Sequence, residues 1–100
     1  MRRRNVIGRN VARLRYERNW TQEILAAQLQ CKGANVTRDM VAKIESGYTK
    51  ISDEWLLGLH KVFRIQIVLL FPKDIQELDA KFARRAASQS LKYRSRHAKG

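Results

Sequence analysis

One short pattern occurs three times in this chain: a large apolar residue, then Thr or Ser, then another apolar residue four positions after the hydroxyl. It stands at Trp20-Thr21 with Leu25, at Val36-Thr37 with Val41, and at Ile51-Ser52 with Leu56. A hydroxyl oxygen can accept an N–H from the open first turn of a helix, and the flanking apolar pair fixes the angle at which the chain enters it. The pattern therefore predicts three helix starts, followed by "QEILAAQLQ", "RDMVAKIES" and "DEWLLGLHKVF". Glu23 falls in the first turn of its helix, where the dipole favours an anion, and Gly47 supplies a stop after the second of the three. Helices this short form by packing their apolar faces on one another, so the chain is expected to be a helical bundle.

The rest of the chain extends that reading. Ile7, Val11 and Leu14 recur at helical spacing, with Arg9, Arg13 and Arg18 off the stripe, and predict a first helix over Asn5–Arg18. After Arg64 the run "IQIVLLF" is apolar without a break until Pro72. Periodicity leaves a short buried helix or a strand open there, and the absence of a partner strand favours the helix. Beyond Pro72, Ile75, Leu78, Phe82 and Ala86 mark one face of a sixth helix over Asp74–Ser88, with Glu77, Lys81, Arg84 and Arg85 opposite. The closing "SLKYRSRHAKG" has no stripe and is expected to be a mobile basic tail. The fold expected is all-α: a five-helix bundle followed by a C-terminal basic amphipathic helix and tail. Its divisions are a basic arm over 1–4, a folded domain over 5–72, and a basic segment over 73–100.

Charge narrows the range of partners. The 21 Lys and Arg exceed the 9 Asp and Glu by 12. Residues 1–19 hold seven basic groups and one acidic, residues 20–72 six and five, and residues 73–100 eight and three. A near-neutral centre between two basic flanks points to a folded core with polyanion-binding extensions. Nucleic acid fits; ribosomal RNA or an anionic membrane surface would give the same totals. No apolar run reaches membrane-spanning length, and no apolar stretch follows "MRRR" as a signal peptide requires, so a cytoplasmic protein is expected. The one cysteine, Cys31, excludes an internal disulfide. His60 and His97 stand far apart without acidic or Cys neighbours at ligand spacing, Cys31 lacks a base, and no Gly-rich phosphate loop is present. Neither enzyme chemistry, a metal nor a cofactor is expected.

A helix that reads DNA bases needs an apolar back and polar groups at its exposed N-terminal end. The segment Thr37–Ser46 meets both demands, with Val41 and Ile44 at the back and Arg38, Asp39, Ala42 and Lys43 largely off that stripe. The plainer alternative is the solvated face of an ordinary amphipathic helix. Taken with its surroundings, the segment resembles the Cro/CI-type (XRE-like) helix-turn-helix repressors, whose fold is lambda-repressor-like. The residues that carry the resemblance are "LRYERNWTQEILAAQL", "VTRDMVAKIESG", "ISDEWLLGLHKVFRI" and "LLF", within Ile7–Phe71.

The resemblance implies double-stranded DNA as partner and a small transcriptional repressor as function. It implies a phosphate contact for Gln22, a cap and backbone contact for Thr37, and base reading for Arg38, Asp39 and Lys43. Met40 would touch backbone or a thymine methyl, and Tyr48, Thr49 and Lys50 would follow the phosphates. Arg15 and Glu45 would pair; as a partly exposed ion pair they would contribute about 0–1 kcal/mol. A homodimer reading half-sites about 34–36 Å apart is also implied. No small-molecule effector is expected.

Two features depart from the family. "QCKGANV" replaces the usual three- or four-residue turn, as in a subgroup with an extended link, and helix two is expected to run about a turn longer. Val68 and Leu69 stand where the fifth helix is usually polar. They point to a surface covered by the Ile75–Phe82 stripe or by another subunit, which makes Val68, Leu69, Ile75, Leu78 and Phe82 the candidate dimer interface. An antitoxin role and non-specific RNA binding through the flanks are the alternative functions. The N-terminal "RRR" is read either as a minor-groove arm or as a solvated charge run.

Overall fold

The computed structural model describes residues 2–97, and side chains as far as Ser88. Its elements are α1 (Gly8–Glu17), α2 (Gln22–Cys31), α3 (Arg38–Glu45), α4 (Asp53–Phe63), a 3-10 helix (Ile67–Leu70) and α5 (Lys73–His97). The fold is all-α, with no strand among the described residues.

All three hydroxyl caps form. The Thr21 oxygen accepts the Ile24 N–H at 3.1 Å, Thr37 that of Met40 at 3.3 Å, and Ser52 that of Trp55 at 3.2 Å. At Thr37 the exchange is reciprocal, because its own N–H donates to the Met40 Sδ at 3.5 Å. α1 starts later than its apolar stripe implies. The Asn5 Oδ1 accepts from the N–H groups of Ile7 (3.2 Å) and Gly8 (2.8 Å), so a side chain replaces the first helical turn.

The exits share one device. After α1, α2 and α3 the chain enters the left-handed region at Asn19 (φ 58°), Gly33 (φ 85°) and Gly47 (φ 79°). In each case the next N–H reaches back to the carbonyl three residues before the cap: Trp20 to Arg15, Ala34 to Leu29, Tyr48 to Lys43. A side chain is strained at such φ values, which is why Gly33 and Gly47 close two of the three ends. α2 runs to Cys31, and the extended link is a helix end followed by an anchored strap rather than a slack loop. Ala34 and Val36 are buried, and the Gln30 amide donates to the Val36 carbonyl at 2.9 Å. A Cβ on Gly58 would lie 3.1 Å from that of Ala34, so α4 lies close against the strap.

The core gathers Ile7 just before α1, Val11 and Leu14 from α1, Leu25, Ala26 and Leu29 from α2, and Val41 and Ile44 from α3. Ala34 and Val36 of the strap, Leu59, Val62 and Phe63 of α4, and Leu70 complete it. Trp20 stacks on Phe63 with ring centroids 6.1 Å apart, and the Arg18 guanidinium lies over the Phe63 ring. His60 is a satisfied residue of α4, its Nδ1–H donating to the Ile65 carbonyl.

The run "IQIVLLF" forms a single tight 3-10 turn, since Arg64 reverses the chain in the left-handed region (φ 56°) and Pro72 follows. The Asn10 amide holds this turn, donating to the carbonyls of Leu70 and Phe71 at 3.1 and 2.9 Å. α5 packs on the 3-10 turn through its start, where Ile75 and Gln76 are half-buried; from Glu77 to Ser88 every residue is exposed. The helix does not end near Ser88 but continues to His97, which corrects the expected tail; residues 98–100 lie outside the described residues. No helix among the described residues is long and apolar enough to cross a membrane.

Candidate nucleic-acid interface

α3 buries Val41 and Ile44 completely and turns Arg38, Asp39 and Lys43 to solvent, with Met40 and Ala42 half-buried at the margins. Eight residues at 1.5 Å rise make a rod of about 12 Å, short enough to be held along its whole back by α1 and α2. Asp39 lies in the first turn and Lys43 in the last, each at the end whose partial charge it complements. Arg38 and Lys43 form no ion pair among the described residues, so their donors are open to a ligand.

The pose of α3 is set from its C-terminal end. Arg15 grips Glu45 in a bidentate pair, Nε to Oε2 at 2.7 Å and Nη2 to Oε1 at 2.9 Å, and its third nitrogen donates to the Trp20 carbonyl at 2.8 Å. The side chains are only 7% exposed, so the expectation of a partly exposed pair is corrected. The Glu45 carboxylate holds the Arg15 guanidinium above its ordinary pKa, against the opposing effect of burial. Gln22, at the start of α2, donates its amide to Glu45 Oε1 at 3.1 Å. Its side chain thus belongs to the positioning network, a place the sequence reading did not give it, while Thr21 caps the helix beside it.

Two residues that sequence reading passed over complete this frame. Asn5 is buried; besides capping α1, its Nδ2 donates to the carbonyls of Ile44 (3.1 Å) and Thr49 (2.8 Å), tying α1, α3 and the following loop at one atom group. Gly8 lies where α1 meets the end of α3. A Cβ there would fall 2.2 Å from the Ile44 carbonyl oxygen and 2.8 Å from that of Glu45. The signal available was a glycine inside an otherwise regular helical pattern, a local cost that packing must offset.

After Gly47, Tyr48 and Lys50 are exposed and Thr49 is half-buried. Of the candidate interface residues elsewhere, Val68 and Ile75 are half-buried where α5 meets the 3-10 turn, whereas Leu69, Leu78 and Phe82 are 40%, 52% and 59% exposed. α5 therefore covers only part of the apolar surface expected to be covered. The described residues contain no cluster of His, Cys, Asp and Glu that could hold a metal ion. No family model matches the chain, and neither the curated proteins nor the solved structures yield a match.

Proposed function

We propose that the chain is a sequence-specific DNA-binding protein of the Cro/CI helix-turn-helix kind, acting as a small transcriptional repressor with α3 in the major groove. One observation carries this reading: a short helix, pinned at its end by Arg15, Glu45 and Gln22, that presents Arg38, Asp39 and Lys43 along its open edge with no ion-pair partner among the described residues. Arg and Lys can bond guanine O6 and N7, and Asp can accept from cytosine N4. The basic flanks supply the phosphate attraction that such a small reader needs. The protein acts as a homodimer, with Leu69, Leu78 and Phe82 the exposed apolar residues for the contact. It uses no cofactor and performs no catalysis.

The test is discrimination. Arg38→Ala and Lys43→Ala each reduce the preference for a selected duplex over random DNA by about 1–3 kcal/mol in competition binding. Equal losses on both duplexes would overturn base reading by α3. The second reading, non-specific RNA binding, is favoured by the exposure of Lys81, Arg84 and Arg85 on α5. It predicts tighter binding to single-stranded RNA than to any duplex.

A further inference from the structure

The N-terminal arginines do not lead away from the bundle. The Arg4 N–H donates to the Gly47 carbonyl at 2.7 Å, and Arg3 Nη2 donates to the Glu45 carbonyl at 3.1 Å. The Arg3 guanidinium lies so close over Gly47 that a Cβ there would meet it at 2.7 Å. With Asn5 clamped on Ile44 and Thr49, the chain from Arg3 to Asn5 is fastened along the end of α3. The backbone of this segment is held against the bundle, while the side chains of Arg2, Arg3 and Arg4 remain exposed.

Its electrostatic effect is a change of sign. A helix C-terminus carries a partial negative charge, and α3 adds the Glu45 carboxylate there, so bare it would repel a phosphate. Arg15 and Gln22 occupy that carboxylate, and Arg3 covers the Glu45 carbonyl. The side chains of Arg2 and Arg4 remain exposed, without an acidic partner among the described residues. Together with Arg3 and the Tyr48 phenol, 57% exposed, they line an open concavity of about 440 Å³. The Tyr48 N–H donates to the Lys43 carbonyl at 2.8 Å, which fixes this wall of the concavity to the C-terminal end of α3.

From this geometry we infer a phosphodiester clamp built from Arg2, Arg4 and Tyr48, with Arg3 as its positioning residue, which holds one DNA phosphate at the C-terminal end of α3. Guanidinium forks match phosphate oxygens in a bidentate way, and a phenol adds one donor. At Arg4 and Tyr48 the fastened backbone leaves mainly side-chain rotamers to be ordered on binding. The clamp rests on the DNA-binding reading. It deepens it by giving the basic N-terminus a fixed phosphate in place of a groove.

The experiment is the salt dependence of duplex binding by the full chain, comparing wild type with Arg2→Gln/Arg4→Gln and Arg2→Lys/Arg4→Lys on a selected and a scrambled duplex. Thermal unfolding confirms that each variant is folded. The Gln pair is expected to make the slope of log K against log salt shallower by about 0.9, the value for one phosphate, with the preference between duplexes unchanged. The Lys pair is expected to keep the wild-type slope. An unchanged slope in the Gln pair overturns the clamp alone. A loss of preference together with the slope also overturns it, because the arginines would then be reading bases. Wild type that binds no duplex overturns the DNA-binding reading and the clamp with it.

Discussion

Glu45 accepts from two nitrogens of Arg15 and from Gln22, and its backbone carbonyl accepts from Arg3. A carboxylate so enclosed is well satisfied only while all its donors are present; removing one partner of a buried pair leaves the other charge uncompensated. Arg15→Ala is therefore expected to lower unfolding stability by about 3–5 kcal/mol, read from denaturant midpoints. A loss below 1 kcal/mol would mark the pair as an ordinary surface bridge. The raised Arg15 pKa makes its contribution fully present below the unfolded value, and it is lost only as pH rises through the still higher folded value. Across neutral pH the arginine side of the pair adds no pH dependence. At Gly8 two effects oppose: alanine raises helix propensity by about 1 kcal/mol, but its Cβ would meet two backbone carbonyls that cannot swing aside. Overlap wins, and Gly8→Ala is expected to destabilise by about 1–3 kcal/mol on the same measurement. The partnership of Arg15 and Glu45 was legible through family resemblance, whereas its burial was not. Asn5 and Gly8 act on residues some forty positions away, and local pattern does not report such contacts.

At the scale of elements, the caps at Thr21, Thr37 and Ser52 were readable because a cap is a local device: a hydroxyl, an open turn and an apolar neighbour within five residues. The extended link was readable as added length but not as conformation. What organises it is the left-handed Gly33 followed by buried Ala34 and Val36, whose fit against α4 depends on Gly58. The end of α5 was misplaced because its apolar stripe stops at Ala86 while the helix continues. Backbone hydrogen bonding carries a helix past the last residue that has something to pack on. Since α5 is exposed from Glu77 to Ser88, deleting residues 77–100 is expected to leave the unfolding free energy of the bundle within about 0.5 kcal/mol of wild type, both read at concentrations where the full chain is monomeric. A larger loss would show that the distal helix supports the core.

For the whole molecule, the chain divides its labour by charge and by packing. The near-neutral centre holds most of the core, and the basic excess lies in the flanks. One flank is folded back on the end of α3, and the other extends as α5, giving overall extents of 57 × 31 × 23 Å. The charge division was visible in the sequence. The contrast between a fastened and a projecting flank was not, since both are runs of like charge. In the proposed function this frame presents α3 to specific bases. Selection of bound duplexes from a random DNA pool by the full chain tests it most directly. Enrichment of one motif in two symmetric half-sites is expected, with centres about 34–36 Å apart. A pool that remains random after repeated selection, while still binding the protein, would contradict it.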